Sequence, residues 1–324
     1  MRRHGAKDQH LEEGYRRCAQ LTWQYGTTYF WGAALLPRDR RRHVYAIYAL
    51  CRLADDIVDL PDTSSPEPVG EWPSTGSDRG EVGDRLKAFA DTFRTALVER
   101  TSTDPVIASI VHTVITCGIE PECFDRFFGA MAMDLTVGSY ETWEDLCGYM
   151  EGSAAVIGEM MLPVLEPRDP AAKGPARALG LAFQLTNFLR DVDEDLDRGR
   201  VYLPQADLRR FGVDLAPRRA TAEFQALMEY EIERNRALYD FADTGIGMLP
   251  PRSARCVGNA RILYSQILDR IEQRGYDVFS GRLRVPTWQK ALTTARIMVT
   301  GPRATQVPAE ERARSSRHVT SDAS

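Results

Sequence analysis

The sequence has no segment that approaches the ~20 consecutive apolar residues of a membrane-spanning helix. Its best run, Ala154 to Leu165, is interrupted by Gly158, Glu159 and Pro163. The charged opening Met1-Arg2-Arg3-His4 leads into no apolar stretch, so no secretory signal is read there. These absences predict a soluble cytoplasmic protein, one that can still touch a membrane surface. An excess of positive charge is also missing. The net charge of −5 argues against a general attraction to nucleic acid. The six cysteines form no CxxC pair and do not cluster with the five histidines. That argues against zinc and suits small buried residues in a reducing compartment. Glycine patterns that seat nucleotides are lacking too: there is no P-loop, and Gly245-Ile246-Gly247 lacks a third glycine. No nucleotide cofactor is expected.

Strand alternation is nearly absent, and helical periodicity recurs almost everywhere. The 324 residues, 43% hydrophobic, are ample for a sizeable core in one large domain or two. Helices are predicted over 21–35, 40–60, 84–100, 104–117, 121–136, 142–166, 170–197, 221–243, 250–274 and 286–299. Residues 61–83, rich in Pro, Ser, Gly and Asp, read as a flexible loop. Residues 1–8 and 301–324 read as flexible or disordered tails, leaving 9–300 as one all-α helical bundle.

Two acidic clusters stand out, Asp55-Asp56-Ile57-Val58-Asp59 and Asp191-Val192-Asp193-Glu194-Asp195. Each sets two aspartates four residues apart on one helical face. Like charges at that spacing are destabilising by about 0.2–0.5 kcal/mol per pair. A divalent cation is the natural group to offset that repulsion. On the first helix Tyr48, Arg52, Asp55 and Asp59 share a stripe, opposite Ala46, Ile47, Ala49, Leu50, Leu53 and Ile57. On the second, Gln184, Asn187, Asp191 and Asp195 share a stripe, opposite Leu181, Ala182, Leu185, Leu189 and Val192. Either helix alone reads as an ordinary amphipathic helix with a solvated polar face. Two such stripes in one helical chain point to carboxylates that meet across a cavity in the bundle. Magnesium suits carboxylate and phosphate oxygens. Arg52, Arg190 and Tyr202 suit direct phosphate contact. The substrate predicted is a diphosphate ester with a hydrocarbon chain.

The segment Tyr45 to Asp59 resembles the first aspartate motif of the squalene and phytoene synthase family. Gln184 to Pro204, reading QLTNFLRDVDEDLDRGRVYLP, is very similar to its second. Supporting similarity runs over about residues 20–295, through Thr27-Thr28-Tyr29-Phe30, Met133-Asp134-Leu135, Tyr149 to Gly158, Tyr264 and Gly275 to Phe279. The stretch Ser153 to Glu159 looks most like bacterial phytoene synthases. The resemblance implies an isoprenoid synthase helical bundle around a central apolar cavity. It implies head-to-head condensation of two prenyl diphosphates, dependent on Mg2+ or Mn2+. By resemblance Asp55, Asp59, Asp191 and Asp195 bind metal, with Asp56 assisting. Tyr48, Arg52, Tyr149 and Tyr264 shape the reaction centre. Gln184, Asn187, Arg190 and Tyr202 contact substrate, with Arg282 or Arg284 and Lys290 as a C-terminal basic group. The chain departs from the pattern at Tyr25-Gly26-Thr27, where relatives often carry His or Ser, and at Asp193, an extra acid expected to be solvated.

The product implied is phytoene from geranylgeranyl diphosphate, in carotenoid biosynthesis. The alternatives are squalene or dehydrosqualene from farnesyl diphosphate, or a non-catalytic helical scaffold that kept the fold. Peripheral membrane contact would serve product release. Phe124, Phe127, Phe128 and Met131, with Gly152, Ala155, Val156 and Gly158, read equally as a tunnel for the prenyl tails or as ordinary core.

Overall fold

The computed structural model describes residues 2–59, 79–281, 283 and 285–301. Its helices run α1 Arg2–Tyr25, α2 Thr27–Ala33, α3 Arg38–Asp59, α4 Arg79–Glu99, α5 Pro105–Cys117, α6 Glu122–Met133 and α7 Trp143–Met150. They continue as α8 Val156–Leu165, α9 Lys173–Arg190, α10 Val192–Asp197, α11 Gln205–Phe211, α12 Ala222–Ile246, α13 Pro251–Gln273 and α14 Thr287–Thr300. A π-helical turn, Glu151–Ala155, joins α7 to α8. Among the described residues the sole β feature is an isolated bridge between Ser139 and Val201.

Local chemistry sets the helix ends. Asp104 caps α5 by accepting hydrogen bonds from the amides of Val106 (2.8 Å) and Ile107 (2.9 Å), and Pro105 opens the helix with its preset φ. Thr221 caps α12 through the amide of Phe224. Pro163 lies inside α8 without ending it.

The chain divides into two compact units, Met1–Gly138 with Gly148–Leu165, and Ser139–Cys147 with Glu166–Ser324. In the first, α3 packs on α1, α5, α4 and α8. Of its predicted apolar face, Ala46, Ile47, Ala49 and Leu50 are buried, while Leu53 and Ile57, nearer its C-terminal end, are only partly covered. Phe93, Phe124 and Phe127 add large buried rings to the same unit. In the second, α9 lies along α12 and α13, with Ala182, Leu185 and Leu189 inside.

Several boundaries differ from the sequence reading. Residues 2–8 continue α1, where a flexible tail is predicted. The expected helix 21–35 is divided at Gly26 between α1 and α2. The expected loop 61–83 ends at Arg79, where α4 starts; 60–78 lie outside the described residues, as do 302–324. The expected helix 142–166 contains the π turn, 170–197 breaks at Asp191, and α11 has no counterpart in the prediction.

Candidate active site

In the first unit, α3 carries the first acidic motif. Arg52 pairs with Asp56 one turn on, and its Nη1 lies 3.9 Å from Asp55 Oδ2. Its guanidinium carbon stands 4.2 Å from the centroid of the Tyr25 ring, a cation–π contact worth about 0.5–1 kcal/mol where partly exposed. Arg52 Nε is buried and makes no hydrogen bond. A guanidinium flanked by a carboxylate and an aromatic face, with an N–H in reserve, suits an arriving anion. Asp56, expected to assist the metal pair, is here the partner of Arg52. Asp59 closes α3, and its side chain lies outside the described residues.

Tyr48 is half-buried, with its ring centroid 5.6 Å from that of Tyr29. A Cβ at position 26 would sit 2.5 Å from Tyr48 Cζ and 2.8 Å from its hydroxyl oxygen. Glycine is therefore required at 26 for Tyr48 to stand where it does. The departures at Tyr25 and Gly26 bear directly on Arg52 and Tyr48, which the sequence reading missed. The signal was present as a bare glycine beside an aromatic, but the contact spans two helices.

Tyr149, at the end of α7, is 2% exposed, and its hydroxyl donates to Asp134 Oδ2 at 2.7 Å. Both residues belong to stretches that resemble the family, and their pairing was not legible from either stretch.

In the second unit, α9 ends at Arg190, and Asp191 adopts φ −103° and ψ 17°. The break is confined to that residue. The amide of Asp191 still donates to Asn187 O, and that of Asp195 to Asp191 O, both at 2.9 Å. The four-residue spacing therefore keeps its helical sense across the break. Arg190 grips Asp191 with two hydrogen bonds, Nε to Oδ1 at 2.7 Å and Nη2 to Oδ2 at 2.5 Å. Burial of the guanidinium pulls its pKa down, and the bonds to Asp191 outweigh that and hold it above the ordinary arginine value. Tyr264 also acts on Arg190 electrostatically.

Asp195 is buried, with Arg198 3.6 Å away. Asp193, expected to be solvated, instead pairs with Arg218 at 3.0 Å. Gln184 and Asn187 are half-buried. Tyr202 is buried and stacks on Phe188, with centroids 3.9 Å apart and planes 10° apart. Tyr264 lies against Phe183 at 4.3 Å. Between Gln184 and Asn187, Thr186 donates to Ala182 O at 2.7 Å and accepts from the Tyr239 hydroxyl and from Asn235 Nδ2, both at 2.8 Å. This buried network ties α9 to α12. Lys290 is half-buried in the first turn of α14, and Arg282 and Arg284 lie outside the described residues.

Among the described residues no group of three or more His, Cys, Asp or Glu is arranged to hold a metal ion. The chemistry of the donors nonetheless fits Mg2+ or Mn2+. Asp55, Asp191 and Asp195 offer hard carboxylate oxygens, and such ions are usually completed by water and substrate phosphate. Among the described residues no helix is long and apolar enough to cross a membrane.

A helical fold that sets one acidic motif beside Tyr48 and Arg52 on α3, and another beside Arg190 at the break between α9 and α10, is the architecture of an isoprenoid synthase. Two solved structures share it. One, titled a dehydrosqualene synthase in complex with ligand, superposes with a TM-score of 0.79 at 25% identity, covering 90% of this chain and 98% of that one. The other, the squalene synthase HpnC from Alicyclobacillus acidocaldarius, gives 0.70 at 30% identity, covering 82% and 96%. The chain belongs to the squalene/phytoene synthase family, whose model matches residues 23–289. Among its relatives, the phytoene synthase of Arthrospira platensis is 35% identical over 298 residues, 86% of this chain and 91% of the relative. The 15-cis-phytoene synthase of Synechocystis sp. is 36% identical over 300 residues, 87% and 83%.

Proposed function

We propose that this protein joins two molecules of geranylgeranyl diphosphate head to head to form phytoene. The observation that carries this reading is the run of relatives named phytoene synthase, matched over most of both chains. The arginines and tyrosines placed on each acidic motif support the chemistry.

Arg52 and Arg190 bind diphosphate oxygens, and Arg52 has a buried N–H without a hydrogen bond to offer. Asp55 and Asp59 on one motif, with Asp191 and Asp195 on the other, would hold Mg2+ or Mn2+. When bound, the ion neutralises charge developing on the departing diphosphate. Gln184, Asn187, Tyr202 and Lys290 orient the same group. Departure of the first diphosphate leaves an allylic cation, which the double bond of the second substrate attacks. Loss of a proton closes a cyclopropane. A second departure, rearrangement and proton loss yield a conjugated central triene. Tyr48, Tyr149 and Tyr264 border the reacting carbons, and the burial of Tyr149 and Tyr264 helps keep water from quenching the cations. Release of so apolar a product is served by peripheral contact with a membrane.

Diphosphate release from geranylgeranyl diphosphate tests the assignment of groups. It is expected to proceed without a nicotinamide cofactor and to drop sharply in Asp55→Asn and in Asp191→Asn. Release that persists undiminished in both variants refutes the metal roles.

A further inference from the structure

We infer that Arg126 is a positioning residue for Tyr149, acting through the π-helical turn that it clamps. The inference rests on the reading above that Tyr149 serves the reaction centre.

The turn Glu151–Ala155 starts one residue after the end of α7, directly downstream of Tyr149. Inserting one residue into an α-helix rotates everything beyond it by ~100°. The π turn therefore fixes the direction of Tyr149 relative to α8. Such turns are rare, occur as single-turn bulges inside α-helices, and persist where their surroundings hold them.

Here α6 does the holding. Arg126 Nε donates to Glu151 Oε2 at 3.2 Å, at the first residue of the turn. Its Nη2 and Nη1 donate to Glu159 Oε1 and Oε2 at 2.9 and 3.3 Å, beyond the turn's far end. One guanidinium thus binds residues on both sides of the insertion. Between them Gly152 presses on the same residue. A Cβ there would lie 2.6 Å from the Arg126 carbonyl oxygen and 2.8 Å from Ala130 Cβ. At the other end of α6, Asp134 accepts from the Tyr149 hydroxyl. Glu159 is 7% exposed at its side chain, and its pairing with Arg126 offsets part of its desolvation. The two glutamates in turn hold the arginine above its ordinary pKa.

If Arg126 is lost, the turn relaxes toward α-helix and Tyr149 leaves Asp134. The test places fluorotyrosine at 149 and follows its fluorine NMR resonance in Arg126→Met, with turnover of geranylgeranyl diphosphate measured alongside. Arg126→Met is expected to move or broaden that resonance and lower kcat ~10–100-fold. Added to Tyr149→Phe, it is expected to lower kcat no further. Arg126→Lys, which retains the charge, is expected to recover part of the loss. An unmoved resonance, or losses from the two substitutions that multiply, overturns the inference. If the resonance moves while Tyr149→Phe leaves turnover intact, the positioning stands and the catalytic reading of Tyr149 falls. Should Arg126→Met fail to fold, Glu151→Gln loosens one side of the clamp and is read the same way.

Discussion

Arg190 holds both carboxylate oxygens of its sequence neighbour Asp191, at 2.7 and 2.5 Å, at the one residue where α9 gives way to α10. The pair is largely buried, with side-chain exposures of 13% and 12%. Removing one member of such a pair leaves a desolvated charge, which costs about 3–5 kcal/mol. Asp191→Ala is therefore expected to lower both the melting temperature and the turnover. Asp191→Asn keeps the shape and a partial acceptor, so it is expected to keep more of the stability while losing turnover. Equal loss of stability in the two variants, measured by thermal unfolding, would argue that Asp191 serves the fold alone.

The ring of Tyr25 covers Arg52, and Gly26 makes room for Tyr48. Tyr25→Leu removes a cation–π contact of about 0.5–1 kcal/mol, so KM for the prenyl diphosphate is expected to rise roughly two- to five-fold. Gly26→Ala sets a methyl 2.5 Å from Tyr48 Cζ, and the ring must shift. It is expected to lower kcat more than KM and to destabilise by about 1–3 kcal/mol. Steady-state kinetics on the two variants separate binding from placement.

Glu231 carries the clearest dependence of stability on pH. It is fully buried beside Arg234 and Asp207, and burial pushes its carboxyl up from 4.5 to about 7. The folded state thus binds a proton that the unfolded state has released. The resulting stability is present in full below pH 4.5 and is lost as pH rises through 7. The melting temperature is expected to fall over that window, and Glu231→Gln is expected to flatten the profile. A profile unchanged by the substitution would place the titration elsewhere.

Small residues around the π turn serve close packing. Ala155 is fully buried, and the space beside Gly152 is filled by the α6 backbone. Ala155→Phe is expected to destabilise by about 1–3 kcal/mol through overpacking. Products of shorter chain length from a variant of unchanged melting temperature would favour a prenyl tunnel at this position.

The sequence made the helices legible because the apolar positions of α3 and α9 recur at helical spacing, and Ala46, Leu50, Ala182 and Leu189 are buried as that spacing requires. The acidic motifs were legible because repeated carboxylates at four-residue spacing are unfavourable without a partner. Interruptions were not. The π turn falls in a run of small residues, Gly152 to Ala155, where a shift of helical phase leaves no mark on the apolar pattern, and the break at Asp191 preserves the backbone hydrogen bonds on both sides. Contacts between separate segments of the chain were not legible either. Tyr25 on Arg52, Asp134 on Tyr149 and Arg218 on Asp193 join residues whose meeting no local pattern encodes.

Mass analysis of the product formed from purified geranylgeranyl diphosphate and Mg2+ tests the function most directly. The expected result is phytoene, formed without NADPH, abolished by chelation and restored by Mg2+ or Mn2+. No condensation product from geranylgeranyl diphosphate, with squalene or dehydrosqualene formed instead from farnesyl diphosphate, would contradict it.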